Sequence, residues 1–82
     1  MTTIARTPAQ IGNALRRVRK DKGLTQKDVS ERTNLRIATI SSLENGDAGT
    51  QIRTILAVMM VLQLEFRVAE RGSDQPSLED IF

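Results

Sequence analysis

The chain has 82 residues, with 12 Lys or Arg against 10 Asp or Glu, 2 Phe, and no His, Cys, Trp or Tyr. That length makes one small domain. The composition excludes Cys/His zinc sites, iron–sulfur clusters, disulfides, histidine general bases and cysteine nucleophiles, and so small a fold hardly encloses a substrate pocket for other chemistry.

Thr7-Pro8-Ala9-Gln10 predicts a first helix start. Thr7 caps, Pro8 suits the first helical position, and Gln10 can complete a capping box. Ile11, Ala14, Leu15 and Val18 follow at helical spacing, and Gly23 ends the helix. Thr25 and Asp28 predict the start of a short second helix, with Val29 its main apolar residue and its end near Thr33. Asn34 tolerates the left-handed turn conformation, and Leu35 is expected to point inward. A third helix covers 36–45, with Ile37, Ile40 and Leu43 spaced by three and Gly46 closing it. After the loop 45–49, Thr50 can cap a fourth helix running to Leu62. This helix is apolar nearly all round, so it must be buried all round, and a second subunit could supply part of the cover. Residues 63–71 change period. Leu64, Phe66 and Val68 alternate with Glu65, Arg67 and Ala69, as in a strand. A lone strand has no partner in its own chain, and the economical partner is the same strand of a second copy. The alternative is an irregular segment packed on the fourth helix. Residues 72–82 have a linker composition and an acidic end, expected to be a flexible tail.

The modest net charge of +2 hides an asymmetry. Residues 1–53 carry ten bases and five acids, a net +5, while residues 54–82 carry two bases and five acids, a net −3. A basic body with an acidic end fits an anion-binding domain with a separate tail. No apolar run approaches the roughly 20 residues that span a bilayer. Residues 1–6 are too short and polar for a signal peptide, so a cytoplasmic location is expected.

The stretch 23–46 reads as two short helices joined by a tight turn and held by Val29, Leu35, Ile40 and Leu43. The outer face of the second of these carries Arg36, Ala38, Thr39, Ser41, Ser42 and Asn45, small or polar groups able to lie in a major groove. Ile37 is open at this point between core and an outward contact with a thymine methyl. Arg16, Arg17 and Lys20 read as helix surface with phosphate within reach of some, and Met59 and Met60 as core or dimer filler.

Thr25-Gln26 opening the second helix, and Ile40-Ser41 with Leu43-Glu44-Asn45-Gly46 closing the third, resemble the lambda-repressor/Cro-like helix-turn-helix family. The resemblance runs over about 7–62 and departs at Ser30, where Ala is typical, and at Asn34, where Gly is typical. It implies an all-α, four- to five-helix DNA-binding domain, with residues 1–6 as an arm, 7–62 as the DNA-binding unit, 63–71 as a dimerisation strand and 72–82 as a flexible tail. It also implies that Arg36, Ile37, Ala38, Ser41 and Ser42 face bases. Thr25, Gln26, Lys27, Thr39 and Asn45 would meet the DNA backbone, and Leu64, Phe66 and Val68 would pair the strand across a homodimer. Arg19 and Glu44 match a pair that ties the first helix to the third.

The whole layout is similar to HipB-type antitoxins. That likeness implies a homodimeric repressor of its own operon, bound to a palindromic operator in double-stranded DNA and holding a HipA-type kinase toxin. From the composition, without His or Cys, no cofactor, no metal and no enzyme activity are expected. The alternatives are a stand-alone phage or restriction-control type repressor without a toxin partner, and an interaction module that has lost DNA binding.

Overall fold

The computed structural model describes residues 3–71 and contains four helices in that span. They are α1 (Pro8–Asp21), α2 (Gln26–Thr33), α3 (Ile37–Glu44) and α4 (Ile52–Val61). Their order and spans follow the apolar spacing closely, and four is the number within the expected four to five. Leu15 of α1, Val29 of α2, Ile40 and Leu43 of α3, and Ile55, Val58 and Met59 of α4 form the core with Leu62. Ile11, Val18, Leu24, Leu35 and Leu64 pack against its edge. α3 packs on both α1 and α2, and α2 also meets α4.

Two local expectations need correction. The Thr7 hydroxyl accepts from the Gln10 main-chain N–H at 3.1 Å, as a cap should. The return half of the box is displaced by one residue, because the Gln10 side-chain oxygen accepts from the Arg6 main-chain N–H at 2.6 Å. Thr50 does not cap α4. The N-cap is Gln51, which makes no capping hydrogen bond, so α4 starts one residue later than expected. The reason lies in the preceding turn, where the Thr50 main-chain N–H donates to the Asp47 carbonyl at 3.2 Å.

The close approach of α1 to α3 depends on Gly12. A Cβ there would stand 2.4 Å from the Leu43 carbonyl oxygen and 2.6 Å from that of Glu44, both main chain. Only a residue without a side chain lets the two backbones meet so closely.

Residues 64–70 carry no regular hydrogen-bonded structure within the chain. A strand is defined by its neighbour's hydrogen bonds, and the described residues supply no neighbour here. The expected tail lies outside the described residues, as do residues 1 and 2 of the expected arm. Among the described residues no helix is long and apolar enough to cross a membrane.

Candidate nucleic-acid interface

The helix pair is built by its caps and its turn. The Thr25 hydroxyl accepts from the Asp28 N–H at 3.0 Å, and the Asp28 carboxylate accepts from the Thr25 N–H at 2.8 Å. This closes a full capping box at the start of α2. The Thr25 main-chain bond is the chief reason that the Asp28 carboxyl lies below its ordinary value. At the other end Asn34 takes the left-handed conformation (φ 64°, ψ 20°) that the turn demands.

The two departures from the family pattern serve the turn. The Ser30 hydroxyl donates to the Leu35 carbonyl. Asn34 supplies the positive φ that glycine would otherwise provide. Thr33 adds a further clamp, its hydroxyl donating to the Val29 carbonyl at 2.7 Å and accepting from the Leu35 N–H at 3.2 Å. The angle between α2 and α3 is therefore held by side-chain hydrogen bonds as well as by the core.

α3 presents the expected outer surface. At about 100° per residue, Ile37, Ala38, Ser41, Ser42 and Asn45 share one arc of roughly 140°. Ile37 is 46% exposed, so it belongs to this face and not to the core. Ala38, Ser42 and Asn45 are exposed, Ser41 is half-buried, and Thr39 is half-buried at the margin of the arc. Arg36 is the N-cap residue, exposed and without a capping hydrogen bond, so its guanidinium has no local helix duty. Thr25 and Lys27 are exposed at the start of α2.

Gln26 is placed differently from a freely outward side chain. It is half-buried, and its amide nitrogen donates to Glu44 Oε1 at 3.1 Å. Glu44 also binds Arg19 through both oxygens, at 2.6 Å from Nε and 3.0 Å from Nη2. Arg19 Nη1 donates in turn to the Leu24 carbonyl at 2.7 Å. Burial alone would raise the Glu44 carboxyl. The hydrogen bonds from Arg19 and Gln26, with the charges of Arg19 and Arg16, outweigh burial and hold it below its ordinary value of 4.5. The cluster ties α1, α2 and α3 together behind the exposed face. Reading the sequence missed Arg16, whose Nε lies 3.5 Å from Glu44 Oε1.

A profile of the helix-turn-helix family matches residues 15–68, which spans the clamped helix pair, the buried Arg19–Glu44 bridge and α4. The chain belongs to the helix-turn-helix family. Within this family, of the lambda-repressor/Cro-like kind, it is similar to curated proteins named antitoxin HipB. The relative from Escherichia coli K12 is 29% identical over 70 residues, covering 85% of this chain and 80% of the relative. The relative from Escherichia coli O6:H1 is also 29% identical over 70 residues, covering 85% of this chain and 74% of its own length. Among solved structures, HipB in an O4 20mer complex superposes with a TM-score of 0.82 at 27% identity, covering 87% of this chain and 100% of that one. A chain of a HipA–HipB–O2–O3 complex gives 0.81 at 27% identity, with the same coverage of 87% and 100%.

Proposed function

We propose that this helix-turn-helix protein is a sequence-specific DNA-binding repressor and the antitoxin of a type II toxin–antitoxin operon, which it represses while binding a HipA-type kinase toxin. The observation that carries the DNA-binding half is the exposed arc of α3, held rigidly by the Ser30 and Thr33 clamps and the Glu44 cluster. The antitoxin half rests on the likeness to HipB, whose solved structures include complexes with operator DNA and with HipA.

In this reading Arg36, Ile37, Ala38, Ser41 and Ser42 meet base edges. Small side chains let α3 lie deep in the major groove, Ile37 covers a thymine methyl, and Arg36 pairs with guanine. Thr25, Lys27, Thr39 and Asn45 hold phosphates. The Gln26 amide nitrogen is already bound to Glu44, so its contact with the DNA backbone falls to its main-chain N–H or its side-chain oxygen. Residues 7–62 are the DNA-binding unit, preceded by an arm at 1–6, and residues 63–71 pair with the same segment of a second copy through Leu64, Phe66 and Val68. Residues 72–82 would be a tail. The protein would work in the cytoplasm.

Homodimerisation has physical support in the uncovered apolar surface. Ile52, Leu56 and Met60 recur every four residues along α4 and are 69%, 47% and 79% exposed. Phe66 and Val68 are exposed as well. Covering this surface is favourable at about 25 cal/mol per Å², and a twofold pair would present two α3 helices about 34 Å apart, one turn of the duplex.

Gel-shift titration against the DNA upstream of its own coding sequence tests the reading. Arg36→Ala is expected to lose roughly 1–3 kcal/mol of discrimination against mismatched sites. Equal weakening on every sequence would reduce Arg36 to a phosphate contact. Co-purification of the chain with a HipA-type partner encoded beside it tests the antitoxin half, and its failure would leave a stand-alone repressor.

A further inference from the structure

α1 carries a basic feature that the contacts proposed above do not use. Asn13, Arg16, Arg17, Lys20 and Asp21 line a shallow concavity of about 400 Å³. Three bases against one acid make it positive. Arg16 stands at its inner edge, because its Nε approaches Glu44 Oε1, the oxygen that also accepts from Gln26. Arg16 and the first residue of α2 therefore meet across a single oxygen atom.

The charges in this cluster do not balance. Arg19 already engages both oxygens of Glu44. One carboxylate thus faces two guanidinium groups, and one positive charge is left over. It belongs to Arg16, whose side chain is 42% exposed against 9% for Arg19 and 2% for Glu44. The Arg16 Nε is shielded from solvent, yet has no hydrogen-bond partner among the described residues. At 3.5 Å the approach to Glu44 is an ion pair and too long for a good hydrogen bond. Nε itself is closed to an outside anion, so the exposed remainder of the side chain is what such an anion can meet. The planar fork of a guanidinium matches the oxygens of a phosphate.

We propose that Arg16 binds a phosphate of the DNA backbone beside the start of α2, so that α1 makes its own contact with the duplex. The proposal rests on the DNA-binding reading above. Adjacency to Gln26 favours the duplex over an acidic protein surface, since that reading already sets the start of α2 against the DNA backbone. Lys20 and Arg17 extend the positive surface outward along α1 and add attraction without needing a fixed contact.

The test compares the full chain, R16Q and R16K in equilibrium binding from about 50 to about 200 mM salt. The probes are a duplex from the DNA upstream of the protein's own coding sequence and a duplex of mixed sequence. R16Q is expected to weaken binding to both by a similar factor, about tenfold per bound chain at the lowest salt. Its log–log salt slope should become shallower by about 0.9 per chain, while R16K keeps the original slope. If Arg16 serves only the Glu44 cluster, R16Q lowers the melting temperature of the free protein and leaves the slope unchanged, which overturns the proposal. An unchanged slope with loss of an acidic protein partner overturns it too. Should the unaltered chain bind neither duplex, the DNA-binding reading itself is lost. If it binds and R16Q binds identically, only the Arg16 contact is lost.

Discussion

Glu44 is the residue on which three helices converge. Its carboxylate is 2% exposed and receives Arg19, Gln26 and the charge of Arg16. Because its folded value lies below the ordinary 4.5, the ionised form favours the folded state. That stability is fully present above about pH 4.5 and is lost as pH falls through the folded value. Thermal melts taken below pH 4.5 are therefore expected to show falling stability, with Asp28 acting in the same direction. Glu44→Gln should abolish Glu44's share of this acid dependence. At pH 7 it should also cost about 3 kcal/mol, because Arg19 would keep its charge without a buried anion. An E44Q variant with wild-type stability at neutral pH would show that the bridge contributes nothing net. Only resemblance pointed to the Arg19–Glu44 pair in the sequence. Nothing in the spacing of Arg16 and Arg19 names a partner 25 or more positions away, so the third member of the cluster stayed invisible until the helices were docked.

Helix ends show how far local sequence determines an element. α1, α3 and α4 finish with the same pair of hydrogen bonds. After α1, Gly23 N–H reaches the Lys20 carbonyl at 2.9 Å and Leu24 N–H reaches Arg19 at 3.0 Å. After α3, Gly46 and Asp47 reach Leu43 and Ser42 at 3.1 and 3.0 Å. After α4, Gln63 and Leu64 reach Met60 and Met59 at 3.1 and 2.8 Å. This is the Schellman arrangement, and it needs a left-handed residue at its centre. Gly23 and Gly46 meet that need without strain and were legible as stops, whereas Gln63 adopts φ 60° with a side chain attached. The left-handed conformation costs an ordinary residue roughly 1–2 kcal/mol, and glycine's extra chain entropy offsets part of that. Gln63→Gly is thus expected to stabilise the protein by about 0.5–1 kcal/mol, read as a higher urea midpoint with an unchanged slope. A lower midpoint would mean that the Gln63 side chain makes a contact outweighing the strain. The start of α4 was misread because Thr50 has the chemistry of a cap, while the turn from Asp47 decides where the helix begins.

At the scale of the whole molecule, α4 and the segment after it are the unfinished part. A helix apolar on nearly all sides was expected to be buried on all sides. Within one chain its Ile55, Val58 and Met59 are buried, but Ile52, Leu56 and Met60 are not. The period-two pattern of Leu64, Phe66 and Val68 lies next to this open surface in the sequence, and it forms no ladder among the described residues. Both features are accounted for if two chains share one interface. Phe66→Asp should then give a monomer by analytical ultracentrifugation at micromolar concentration. Its far-UV circular dichroism should be unchanged, because Phe66 is 52% exposed and outside the core. Operator affinity should fall by about a hundredfold or more, since two linked half-site contacts become one. A Phe66→Asp protein that stays dimeric would move the interface elsewhere.

The order of the four helices, most of the caps and turns, and the small, polar outer face of α3 were determined by the sequence alone. They depend on apolar spacing and on residues whose preferences are local, such as Thr25, Asn34 and Gly46. Only the tertiary structure decided that Ile37 faces outward, that Gly12 lets α1 and α3 touch, and that Arg16 joins the Glu44 cluster. Each of these depends on how whole helices dock, and docking brings together residues whose separation along the chain carries no periodic signal.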